Sequence, residues 1–181
     1  MPNARLDHVA LVVADLEGAI ARTPLPAEPI GTFPGEGTRE AYVGAASRDA
    51  RLLLVTPIDP ASDGPYARAL RSRGAGLHHL GLAVDDVAAY VDALAGSGWY
   101  VLPGTIDLPY GCWLARPGVP LLVEVGGARE VDAEPVVTSL EVAEGDRPGL
   151  LAALGVAGLL PSPDGETWVT VAGERRRASD W

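Results

Sequence analysis

The chain has a single cysteine, Cys112, in 181 residues. An internal disulfide is therefore excluded, and this usage predicts a reducing, cytoplasmic setting. Long apolar runs are also missing. None approaches the ~20 residues that a bilayer span requires, so no membrane partner is expected. The first residues, from Met1 to His8, contain no basic segment followed by an apolar one, which predicts no secretory signal. Positive charge is in short supply: 14 Lys and Arg stand against 24 Asp and Glu, a formal net charge of −10. A surface of that sign repels phosphate backbones, so no nucleic-acid partner is expected either. Histidine occurs only three times, and the placement of those three carries most of the functional information.

What is present is an ordinary globular composition, with 48% apolar and 21% charged residues. At ~150 residues per domain the length corresponds to one domain with an appendage. A chain of this size buries roughly 70% of the surface its unfolded form exposes, enough for a real core.

The chain repeats itself. The segment from Leu6 to Leu16 overlays the segment from Leu77 to Val87 at an offset of 71 residues, with His8 on His79 and Asp15 on Asp86. Each copy reads as an apolar strand with a histidine near its start, ending at an Asp whose carboxylate can cap the next helix. Helices are expected over 16–22 and 87–95, and later strands over 51–57 and 121–126. The chain thus contains two βαβββ units, at 5–57 and 76–126. The joining segment holds a short exposed helix around Tyr66–Arg71. Residues 1–130 are read as one domain built from the two units, and 131–181 as a C-terminal extension packed on it. Within that extension a strand at 136–142, a helix at 149–154 and a closing strand at 168–172 make a βαβ-like piece. The tail, with its Arg175-Arg176-Arg177 triplet, is expected to be solvated.

Alternation along a strand sets His8 on one face with Ala10 and Val12, and His79 with Gly81 and Ala83. Small neighbours leave room beside each imidazole. Glu124 lies in the otherwise apolar Leu121–Val125 strand, so it either faces solvent or is held by partners, because burying it alone would be costly. A lone histidine near a strand end is ordinarily a satisfied core or surface residue. Two at equivalent positions of duplicated units converge if the units pair about a pseudo-two-fold axis. The pattern alone leaves both readings open. By the same alternation His78 and Asp7 face away from His79 and His8. Gly35-Glu36-Gly37 and Gly126-Gly127 lack the strand–loop–helix context of a nucleotide fingerprint.

The first strand, the Gly-Leu-His-His run at 76–79 with Val84-Asp85-Asp86 behind it, and Leu122-Val123-Glu124-Val125 together resemble the vicinal-oxygen-chelate (glyoxalase/bleomycin resistance/dioxygenase) superfamily. They are most similar to its methylmalonyl-CoA epimerase branch. The likeness covers about residues 5–126. It implies an α+β fold in which two paired βαβββ units form an incompletely closed barrel around a divalent ion (cobalt, manganese, zinc, nickel or iron). The implied metal positions are His8, Leu53, His79 and Glu124. Leucine cannot bind a metal, so three ligands remain: His8, His79 and Glu124. Two imidazoles and one carboxylate leave coordination positions open for water, substrate or oxygen.

Glu40 falls where epimerase-like members carry a glutamate discussed as a proton-transfer base; the bland alternative is an exposed glutamate paired with Arg39. Tyr42, Trp99, Tyr110 and Trp113 either line a pocket or pack the core, and Cys112 reads as a small buried hydrophobe. The function expected from the resemblance is a metal-dependent isomerase or epimerase acting through a metal-stabilised enolate on a small carbonyl or carboxylate substrate. The alternatives are a metal-free small-molecule binding or resistance protein, and an Fe(II) extradiol-type dioxygenase. Against the last, no His or Tyr acid–base group of the kind found around an extradiol site is evident in the sequence. A homodimer is among the assemblies the resemblance implies.

Overall fold

In the computed structural model, which describes residues 4–46, 48–105, 111–129, 131, 134–144 and 149–181, the repeat is visible as architecture. The first unit runs β1 (Arg5–Val12), α1 (Leu16–Ala21), β2 (Gly31–Phe33), β3 (Thr38–Val43) and β4 (Arg51–Pro57). After a linking helix, α2 (Pro65–Arg73), the second unit runs β5 (Gly76–Val84), α3 (Val87–Ala93), β6 (Tyr100–Val101), β7 (Cys112–Ala115) and β8 (Leu122–Gly127). Asp15 and Asp86 cap α1 and α3, each carboxylate accepting the backbone N–H three residues on, at 2.9 and 3.0 Å. These bonds satisfy first-turn amides that the helix itself cannot pair.

The eight strands form one sheet in the order β2-β3-β4-β1-β5-β8-β7-β6. β1 pairs antiparallel with β5 at the centre, and each pairs parallel with the last strand of its own unit. The order reads the same from both edges, and the edges do not meet, so the sheet is an unclosed cup. Along the central strands the period of two sorts the side chains. Val9, Leu11, Leu80 and Leu82 are fully buried toward α1 and α3 in the main core, while His8, Ala10, His79 and Gly81 face the concave side. Burying each of those large aliphatic side chains is worth about 1.5–3 kcal/mol.

The C-terminal residues form a second sheet, in the order β10-β9-β11-β12, from β9 (Val137–Val142), β10 (Leu159–Pro161), β11 (Trp168–Val171) and β12 (Glu174–Arg177). The helix expected over 149–154 is only a short 3-10 turn, Ala152–Leu154, ended by Gly155 at φ 67°. The tail is ordered as a strand, yet it stays largely exposed to solvent, as expected, apart from Ala178 and Trp181. Ala172 and Gly173 both take positive φ, which makes a two-residue hairpin turn and folds the arginine triplet back as β12. Arg175 ion-pairs with Glu141 and lies over the Trp168 ring, and Trp181 is buried. The triplet thus makes surface contacts within the chain, Arg175 to Glu141 and Arg176 to the Arg22 carbonyl and Glu174. This sheet meets the helix side of the cup: Tyr90 Oη and Trp99 Nε1 donate to the carbonyls of Leu154 and Leu150. No described residue beyond Arg129 lines the concave cavities discussed below.

Candidate metal centre

His8, His79 and Glu124 converge. One ligand atom from each lies within 4.8 Å of the other two. His8 Nε2 and His79 Nε2 are 3.0 Å apart, and Glu124 Oε2 lies 3.7 and 3.8 Å from them. Two bare imidazole lone pairs at 3.0 Å would repel, so the pair requires a shared proton or a shared cation. A cation fits. With bonds of about 2.1 Å, an ion places neighbouring donors roughly 3 Å apart and accommodates donors up to about 4 Å apart.

The rings are aimed by a feature that strict alternation hides. The β1–β5 ladder slips twice, with one extra residue on each strand: Asp7 on β1 and His78 on β5. The two bulges sit at the same offset of 71 residues, so the pseudo-two-fold axis relates them. A bulge turns the extra residue's side chain out of its expected face. Asp7 and His78, expected to point away, instead lie beside the histidines that follow them. Asp7 Oδ2 accepts from His8 Nδ1 at 2.9 Å, and His78 Nδ1 lies 2.9 Å from His79 Nδ1. Because a carboxylate only accepts, the His8 proton is fixed on Nδ1, leaving the Nε2 lone pair for a ligand. Asp7 is held in turn by Arg129, whose Nε donates to Oδ1 at 2.8 Å, and its carboxyl is kept down at about 2 as the His8 and Arg129 hydrogen bonds outweigh burial.

Burial holds the His78 and His79 imidazoles neutral: His78 is brought down to about 4, and His79 lies well below the ordinary value. Neutral rings are what metal ligation needs. Burial pushes the Glu124 carboxyl upward, and the adjacent His8 partly offsets this.

The cluster forms the wall between two cavities, one of about 640 Å³ and one of about 350 Å³, to both of which His8, Tyr42 and Glu124 contribute. The larger also holds Glu40, Leu53 and Trp113. The Tyr42 ring meets His8 edge-on at 5.9 Å between centroids, and Trp113 meets His79 at 4.9 Å. Glu40 lies half-buried on β3, its carboxyl raised by desolvation and by the nearby Glu36. Arg39 pairs with Glu17, not with Glu40. Leu53 packs with Ala10 and Val55 in a small apolar cluster against Tyr42 and Tyr66, so the fourth position is occupied by hydrocarbon.

Among the aromatics named from sequence, Tyr42 and Trp113 line the cavity, Trp99 belongs to the core, and Tyr110 lies outside the described residues. Cys112 is buried and free, and its thiol is pushed up by burial. Tyr66 was missed by the sequence reading. The helix carrying it is not simply exposed, because Ala67 and Ala69 are buried. Tyr66 stacks on His78 at 4.2 Å with an interplanar angle of 23°. The one signal for it was an aromatic beside small apolar residues on a short helix. Tyr42, Tyr66 and His78 also line the cavity, and burial raises the two phenols well above their ordinary range.

Comparison with known proteins agrees with this architecture. Methylmalonyl-CoA epimerase from Mycobacterium tuberculosis is 26% identical over 72% of this chain and 87% of its own, with a TM-score of 0.52. A Streptomyces coelicolor methylmalonyl-CoA epimerase in complex with 2-nitronate-propionyl-CoA is 22% identical over 71% of this chain and 97% of its own, at 0.53. A hypothetical protein from Bacillus halodurans C-125 is 18% identical over 72% and 98%, at 0.56. No curated protein matches the chain. The family model described as Glyoxalase/Bleomycin resistance protein/Dioxygenase superfamily matches residues 7–110, more than half of the sequence, and the chain belongs to that superfamily.

Proposed function

We propose that the chain is a metal-dependent isomerase or epimerase that moves a proton at a carbon next to a carbonyl or carboxylate group of a small substrate. The observation that carries this reading is the meeting of His8, His79 and Glu124 at one point in a cavity that also holds Glu40. The three side chains hold a divalent ion and leave its remaining positions open. Such an ion, when bound, polarises the substrate oxygen and stabilises the charge that appears as the adjacent proton leaves. Asp7 and His78 fix the ring orientations and tautomers. Glu40 takes the proton. Its raised pKa brings it closer to neutral pH, which strengthens it as a base, and a base so placed contributes ~10²–10⁴ in rate. Tyr66, Trp113 and Leu53 wall the cavity and limit water around the carbanionic carbon. The likeness to two methylmalonyl-CoA epimerases supports the reaction class.

The test separates ligand from neighbour. His79→Ala loses the ion and all turnover, whereas His78→Ala keeps it, bound roughly 10–100-fold more weakly because only an orienting contact is lost. Elemental analysis at matched loading decides this, and equal metal content in the two variants overturns the assignment. Glu40→Gln retains the ion and slows exchange of solvent deuterium into the α-position of small ketones and 2-substituted acids. Leu53 favours one second reading, a protein that binds an apolar ligand without metal. That reading requires purified chain free of metal that still takes up such a ligand.

A further inference from the structure

Resting on the metal-centre reading, we propose that the cavity takes a substrate whose body, beyond the end that chelates the ion, is uncharged or cationic, and that it rejects anionic tails, the phosphates of a CoA ester included. The larger cavity, at about 640 Å³, is of small-molecule size. Its walls are aromatic and aliphatic, with Tyr66, Trp113, Leu102 and Leu122 contributing. Its charged side chains are all carboxylates: Glu36, Glu40 and Glu124. No described lysine or arginine lines it, and the chain contains no lysine anywhere.

Of the arginines nearby, Arg73, whose charge reaches His78, lines a different cavity with Gly74 and Gly76, and two others are paired. Arg39 is paired with Glu17; Arg51 is paired with Glu28 at 3.0 Å and lies over the Tyr42 ring at 3.7 Å. On the other side of the ligand cluster, the smaller cavity has one cation, Arg129. All three of its nitrogens are committed, Nε to Asp7 and the two terminal nitrogens to the carbonyls of Ala46 and Arg48. Phosphate and carboxylate recognition depends on free, preferably bidentate, Arg or Lys donors. Neither side of the ligand cluster offers an unengaged guanidinium or ammonium group among the described residues. The net charge of −10 adds long-range repulsion of anions. The one feature that accepts negative charge is thus the ion itself, and its open positions are filled by the reacting end of the substrate.

Three chelating probes that differ only in their tails test this on metal-loaded protein: benzohydroxamic acid, its 4-carboxy derivative and its 4-aminomethyl derivative, with affinities measured by calorimetry. The neutral and cationic probes are expected to bind, and the anionic one at least about tenfold more weakly, as a like charge several ångström away in a partly solvated cavity dictates. Glu36→Gln narrows that gap, and millimolar coenzyme A fails to displace the neutral probe. An anionic probe that binds as tightly as the neutral one, displacement by coenzyme A, or no binding of any probe to fully loaded protein overturns the proposal. Failure of the chain to take up metal at all, measured beforehand, instead defeats the metal-centre reading.

Discussion

The two units of the cup are copies in backbone and unequal in chemistry. At the offset of 71 residues the pairs His8/His79 and Tyr42/Trp113 preserve their role on both sides: each histidine has a small residue behind it and an aromatic edge beside it. Asp7/His78 preserve position but change residue, each reaching the Nδ1 of the histidine that follows. Two pairs break. Leu53 stands where the second unit has Glu124, and Glu40 stands where it has Gly111. Gly111 could not carry a carboxylate, because a Cβ there would lie 1.7 Å from the Val125 carbonyl oxygen and its φ of 126° disfavours any side chain. The comparison teaches a division of labour. Symmetry builds the cup and delivers two imidazoles to its axis. The departures from symmetry put the Glu124 carboxylate beside the imidazoles on one side and the Glu40 carboxylate in the cavity on the other.

The largest effect comes from breaking the pair that looks most conservative. Ala10 and Gly81 are equivalent, yet a methyl group at 81 would meet the His8 ring at 2.1 Å. The ring, not the backbone, gives way, so Gly81→Ala should fold and lose metal affinity by more than ~100-fold, beyond the 10–100-fold that loss of an orienting partner costs. Equilibrium dialysis beside a circular-dichroism melt checks both halves. Metal binding at wild-type strength would show that His8 is not a ligand. Asp7→Asn comes next. The amide can no longer draw the His8 proton onto Nδ1 by charge, and it releases Arg129. An affinity loss of about 10–100-fold is expected in competition with a chelator, with the same loss in turnover. If instead only thermal stability changes, the bulge serves folding and not the site.

Much of this was legible before any coordinates, and the limits have physical causes. The repeat, the helix caps and the facing of His8 toward His79 follow from period-two faces laid over a duplicated pattern, which depends on the whole strand and tolerates local error; Glu124 was joined to them only by the family resemblance. The orientation of Asp7 and His78 was read backwards because one extra residue in a strand reverses every face inference at that point, and no residue type announces a bulge. The C-terminal hairpin was missed because its turn is Ala172-Gly173, with alanine where asparagine or aspartate ordinarily signals two positive φ values. Tyr66 escaped because its partner, His78, is reached only when α2 folds across the cavity. The commitment of Glu40 to the cavity was left open between two neighbours, and Arg39 resolved it by pairing with Glu17.

The smallest expected effect tests whether the broken symmetry can be mended. Leu53→Gln puts an amide oxygen at the position equivalent to Glu124, among Ala10, Val55, Tyr42 and Tyr66. Without an ion the amide is stranded in an apolar cluster, at a cost of ~1–3 kcal/mol, so the apo variant should melt earlier than the parent. With an ion the oxygen gains a partner and that cost is recovered, so the shift in melting temperature on adding metal should be larger in the variant. The net gain in affinity should be modest, up to about tenfold or ~1.4 kcal/mol. Occupying a fourth position also removes one that substrate would use, so tighter metal binding should come with slower turnover. A variant that melts earlier and gains nothing from metal would mean that Leu53 does not face the ion, and that the cup's two halves diverge in geometry as well as in chemistry.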